Sequence, residues 1–244
     1  MQGAPGEIQD SDAGALENIA SKKIGGFKKQ PSLVFVERSK EQDEPVPAFW
    51  HKQLSWNNDT YRSRFGHRYL SVHFVKQGEN KYEKFEESLE PQITNWLDAY
   101  KETVSGQREH YPIEKIIFGY INLFRFSGDD FDLSQYFKVN FGTDVSYAEK
   151  GIGGLEITFS VSQPTHVMIN IRVTPESPVS DDVVVTTRVE AHKVIEDECS
   201  FENDEKIMEI IGDMKESAKS VFFDLATDET HQIMGARYAQ STTQ

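Results

Sequence analysis

Cysteine is almost missing from this chain. Cys199 is the only one, so no intrachain disulfide can form, and a reducing compartment fits. It sits in "EDECSFEND", where the surrounding carboxylates disfavour a thiolate nucleophile. Long apolar runs are missing too. No stretch approaches the roughly 18 apolar residues that span a bilayer, and the N-terminus lacks the apolar core of a signal peptide. A soluble, cytoplasmic chain is expected. Basic residues are scarce: 26 Lys and Arg stand against 40 Asp and Glu, a net charge of −14. That argues against a nucleic acid as the main partner, because phosphate binding needs an excess of Lys and Arg.

Catalytic signatures are equally sparse. There is no G-x-S-x-G nucleophile elbow. The Gly-rich "GIGGLE" (151–156) leads into a strand, whereas a phosphate loop needs a helix N-terminus after it. The histidines are His51, His67, His73, His110, His166, His192 and His231. None forms the i, i+4 helical pair of a zinc protease. His67 and His73 share a strand face but stand about 20 Å apart at strand rise. Asp129, Asp130 and Asp132 match a calcium loop in composition only, with the Gly and the distal Glu misplaced. No metal, no cofactor and no catalytic residue is expected.

What is present is an aromatic and aliphatic framework. Residues 1–30 hold few large apolar side chains and read as a mobile leader, with a basic cluster at Lys22, Lys23, Lys28 and Lys29. "SLVFVERS" (32–39) reads as the first strand, and Pro45 and Pro47 break regular structure after it. In "HRYLSVHFV" (67–75), Leu70, Val72 and Phe74 alternate onto one face. The period then changes. Tyr82, Phe85, Leu89, Ile93, Trp96, Tyr100 and Val104 recur at steps of three and four, the stripe of an amphipathic helix. Pro91 lies inside it, so a kink or a restart is expected there. "LEITFSVS" (155–162), "HVMINIRV" (166–173) and "DVVVTTRVEAHKVI" (182–195) alternate strictly and predict antiparallel strands in series. A last long helix follows. Asn203 caps it, and Ile207, Ile211, Met214, Ala218, Val221 and Leu225 form its stripe. A short helix from Thr227 to Met234 comes after it.

This order predicts an α+β fold: a curved, mainly antiparallel sheet of about six to eight strands with two long helices packed on one face. Residues 31–244 read as one domain, or as two similar strand–helix halves meeting near 110–125.

The most apolar run is "KIIFGYINLFRF" (115–126). Its lack of polar alternation predicts a central strand covered on both faces. By alternation Asn122 shares a face with Phe118, Tyr120, Phe124 and Phe126, while Ile117, Ile121 and Leu123 form the other. An unsatisfied buried amide costs about 1–3 kcal/mol, so Asn122 is expected to bond backbone at a strand end or on a neighbouring helix. Trp50, Trp56 and Tyr61 are candidates to line a pocket, though aromatics beside a sheet are more often core. Charge is uneven as well. From Glu190 to the end, 13 acidic and 5 basic residues leave a net of −8. Glu196, Asp197, Glu198, Glu202, Asp204 and Glu205 form a candidate acidic surface for a basic partner, against the commoner reading of a solvated helix face.

Pro112, the "Tyr-Ile-Asn" of residues 120–122 and "FFDLATDETHQIMG" (222–235) carry a resemblance. Together they are similar to a widespread but sporadically distributed prokaryotic family of unknown function. Its members carry a helix, then a proline and a "Leu-Arg-Tyr-Ile-Asn-Arg" strand, and end in a helix with a "Phe-x-x-x-(Ile/Leu)-Thr-(Asp/Glu)" segment. The resemblance covers residues 32–235. Two family arginines are replaced here, by Gly119 and Leu123, and Arg125 shares the face of Leu123. The patchy distribution implies a mobile-element or defence-type locus. The expected function is then a non-enzymatic interaction or regulatory protein, whose partner is another protein encoded nearby. Tyr120, Asn122, Arg125 and Trp56 are its candidate contacts. The alternative is a small-ligand binder with a cavity between sheet and helices. Oligomeric state is left open by the sequence.

Overall fold

The structure, a computed structural model, describes residues 10–25, 27–37, 46–57, 60–66, 69–75, 85–104, 113–127, 131–139, 155–162, 165–176, 182–195 and 203–234. It is α+β with two four-stranded antiparallel sheets, not the single continuous sheet that the order of elements suggested. The chain divides into two compact units. One comprises Met1–Ile113 and Asp197–Met208, the other Glu114–Glu196 and Glu209–Gln244.

In the first unit, β1 (Lys28–Glu37), β2 (Val46–Trp56), β3 (Tyr61–Gly66) and β4 (Tyr69–Phe74) form a meander in chain order. The segment around Pro47, expected to be irregular, is strand. Pro31 of β1 and Pro47 of β2 sit at register faults: one shift falls between Gln30 and Leu33, spanning Pro31, and another between Phe35 and Val36, where Val36 pairs with Pro47; Pro45 lies outside the described residues. A proline withholds a ladder hydrogen bond, and a bulge absorbs that loss.

Alternation along β2 and β3 sends Leu54, Trp56, Tyr61 and Phe65 into one core with Trp96, Ala99 and Tyr100 of α2 (Phe85–Val104). Helix α2 runs through Pro91 without a break. The residues expected to be a mobile leader include α1 (Asp10–Ile24), whose Leu16 and Ala20 belong to the same core. Small residues make its apolar stripe weak in sequence. Ile19 and Ile24 pack against that core as well, which seats the helix.

In the second unit, β5 (Lys115–Phe126), β6 (Leu155–Val161), β7 (His166–Pro175) and β8 (Val183–Val194) lie in the order β5-β8-β7-β6. The three strict alternators behave as their pattern predicts. Val167, Ile169, Ile171 and Val173 of β7 are buried, as are Val185, Thr187, Val189 and Ala191 of β8. That face packs on α4 (Asp204–Leu225), where Tyr120 of β5 meets the Phe222 ring edge-on at 5.9 Å. The Asn203 carboxamide oxygen caps α4 by accepting from the Lys206 amide at 3.1 Å.

The junction between α4 and α5 (Asp228–Ile233) is pinned by α3 (Leu133–Tyr136). There the Thr227 amide donates to the Tyr136 carbonyl at 3.0 Å. Asp132, which with Asp129 and Asp130 matches a calcium loop in composition only, is the N-cap of α3 and accepts from the Ser134 amide at 2.9 Å. Among the described residues no helix is long and apolar enough to cross a membrane, and no group of three or more His, Cys, Asp or Glu could hold a metal ion.

Candidate functional site

Strand β5 is not central. Among the described residues it is an edge strand, hydrogen-bonded to β8 in unbroken register from Lys115↔Val194 to Phe126↔Val183. One of its faces is core and the other is open. Ile116 and Phe124 are buried and Phe118, Tyr120, Asn122 and Phe126 half-buried. Ile117, Ile121 and Leu123 are 53%, 65% and 53% exposed. The run looks covered on both faces in sequence because its open face carries aliphatic instead of polar side chains. Alternation shows that there are two faces, but not which of them is covered.

The direction of the β5 backbone follows from one bond. The Ile195 amide donates to the Glu114 carbonyl at 3.0 Å. In an antiparallel ladder this makes 114 and 195 a hydrogen-bonded pair, and such pairs alternate along the strands. The even-numbered residues of β5 therefore aim their N–H and C=O groups at β8. Lys115, Ile117, Gly119, Ile121, Leu123 and Arg125 aim theirs at the outer edge. The same residues that present side chains to the open face also present backbone to the open edge.

The neighbours on the open face are polar. Ile117 lies opposite His192, and His192 lies opposite His166 on β7, with the two rings 5.8 Å apart. Burial lowers the His192 pKa; Lys115 and His166 push it the same way, and Glu190 opposes them. Glu190 Oε1 also accepts from Arg188 at 2.6 Å. The other edge of the sheet differs. There Asn170 of β7 donates to Glu156 at 2.7 Å and to Thr158 at 3.1 Å, so the open face of β6 is polar and internally bonded.

Gly119 is required by closeness to β8. A Cβ there would stand 2.8 Å from the Val189 carbonyl oxygen and 3.2 Å from Glu190 Cγ. A side chain of any size at this position would therefore meet β8.

The candidate contact residues are scattered. Trp56 is 6% exposed and stacks on Tyr61 at 5.6 Å, with its indole N–H donating to Gln92 at 3.2 Å. It is core, as is Tyr61; the side chain of Trp50 falls outside the described residues. Tyr120 lies on the core face and donates its hydroxyl to the Ala218 carbonyl at 3.0 Å. Asn122 donates to the Thr187 hydroxyl at 3.3 Å, so its partner is a cross-strand side chain instead of the backbone expected. Only Arg125 faces outward, paired with Glu176 at 2.8 Å.

Of the acidic set, Glu196, Asp197, Glu198 and Glu202 fall outside the described residues. Asp204 bonds Lys101, and Glu205 is exposed. Ile117, Ile121 and Leu123 form one face in sequence but carry no sign of being a site, because only strand order puts that face at an edge and sets His192 of β8 and His166 of β7 beside it. Compared with protein-family models, curated proteins and solved structures, the chain matches none.

Proposed function

We propose that this chain is a non-enzymatic interaction protein that docks a protein partner on the open side of β5. One observation carries the reading: three large aliphatic side chains, Ile117, Ile121 and Leu123, are more than half exposed on a twelve-residue edge strand. Natural edge strands are commonly short, charged, bulged or covered, because an exposed apolar edge invites pairing. Contiguous apolar surface of this kind marks interaction sites. β6, at the other edge, is shorter and polar on its open face, so the two edges of the sheet differ; one further exposed aliphatic side chain, Val194 of β8 at 63%, lies opposite Lys115 of β5.

A cytoplasmic setting is part of the proposal and is supported by the single cysteine. A partner encoded nearby, in a mobile-element or defence-type locus, is its finer part and draws on the family resemblance.

The test is affinity capture with matched variants. Ile121→Lys and Leu123→Lys should each lose a partner held by the native chain, while Glu229→Lys on α5 should keep it. Retention of that partner by both β5 variants at unchanged folding would overturn the proposal.

A further inference from the structure

We infer that the partner binds β5 by strand addition, as an extended segment with carboxylates flanking an aliphatic stretch. This rests on the interaction reading above and specifies its chemistry. The outward backbone of β5 sets the mode. The outward N–H and C=O groups of Ile117, Gly119, Ile121, Leu123 and Arg125 form one side of an antiparallel ladder with nothing on its other side among the described residues. A fifth strand would complete it, the main chain giving affinity and alternate side chains giving specificity.

Side chains facing Ile117, Ile121 and Leu123 would lie on the open face and would have to be apolar. Gly119 sits between Ile117 and Ile121 and adds no side chain of its own to the open face, where Glu190 of β8 lies against it. The carboxylates follow from charge. Residues 115–126 carry Lys115 near one end and Arg125 near the other and no acid at all, in a chain of net charge −14. Arg125 already pairs with Glu176, but both side chains are exposed, at 66% and 38%. Such a pair is worth little and yields readily to a better placed carboxylate. Charge also speaks against a second copy as the occupant. Two β5 strands would bring four basic side chains and no carboxylate together.

The test uses the full chain and three synthetic peptides. One alternates valine and threonine with glutamate at each end. The second replaces the glutamates by lysine. The third is the glutamate peptide with N-methyl groups on the amides that would face β5. Amide hydrogen exchange is read residue by residue. The glutamate peptide should slow exchange at Ile117, Gly119, Ile121 and Leu123 by about tenfold or more at saturation, and it should bind about tenfold more tightly than the lysine peptide at low salt. The N-methyl peptide should do neither.

Unchanged exchange at those amides overturns the inference, as does equal binding of the glutamate and lysine peptides. Protection that grows with protein concentration alone, together with a dimer mass, would also overturn it and make a second copy the occupant. If the peptides fail while the β5 lysine variants still lose the captured partner, strand addition falls and the interaction reading stands. If the variants keep the partner as well, both fall.

Discussion

The Asn122 side-chain amide donates to the Thr187 hydroxyl at 3.3 Å, across the β5–β8 pair in which the two residues are direct partners. Thr187 is fully buried. The pair is a small polar island on an otherwise apolar face. Its cost is contained because donor and acceptor meet. Asn122→Leu should therefore lower unfolding stability by about 1 kcal/mol or somewhat more, since it strands the Thr187 oxygen. The double variant Asn122→Leu/Thr187→Val should recover much of that loss, because removing both partners of a buried bond is nearly neutral. Urea unfolding of the four proteins in the cycle checks this. A double variant that loses the full sum of both single losses would show that the two residues do not act as a pair.

Gly119 offers a second, independent probe of the same strand. Its Cβ site is occupied by the Val189 backbone oxygen at 2.8 Å, and backbone cannot step aside as a flexible side chain can. Gly119→Ala should destabilise by about 1–3 kcal/mol, the usual range for overpacking. This would hold although alanine suits a strand no worse than glycine. An increase in stability would mean that β5 and β8 are less tightly apposed than described.

His192 makes a pH prediction. Burial first, then the Lys115 charge, lower its pKa from the ordinary 6.5, with Glu190 pulling the other way and His166 adding to the lowering. The ring is then neutral in the folded state at pH values where the unfolded chain already binds a proton. Stability is fully present above 6.5 and erodes as pH falls through that value toward the lowered one. His192→Gln should thus lose less stability than the native chain between about pH 7 and about pH 5.5. Unfolding midpoints at the two pH values measure it. Equal losses would show that His192 contributes nothing to the acid sensitivity.

Much of the fold was legible in sequence because it rests on local periods. The alternation of Val167, Ile169, Ile171 and Val173 names a buried face by itself. The Ile207–Leu225 stripe and the Asn203 cap likewise define α4 with no knowledge of its neighbours. Strand order is non-local and was not legible. Nothing in "KIIFGYINLFRF" tells whether β5 has one neighbour or two, and its aliphatic open face imitates a covered one. The leader misled for the opposite reason. Its α1 buries only Leu16 and Ala20, with Ile19 and Ile24 partly buried beside them, and alanine and glycine at its other apolar positions leave the stripe weak. Trp56 drew notice as an aromatic ligand contact and is core. A sequence shows that a ring is apolar, but only packing shows whether it is covered.

Site-specific photo-cross-linking reports whether a partner sits on the open side of β5. A benzophenone side chain placed at position 121, and separately at position 229 on α5, would be irradiated in cells of the native host. Docking on β5 should give a single protein adduct from position 121, blocked by Leu123→Lys in the same chain, and none from position 229. An adduct from position 229 with none from position 121 would contradict it.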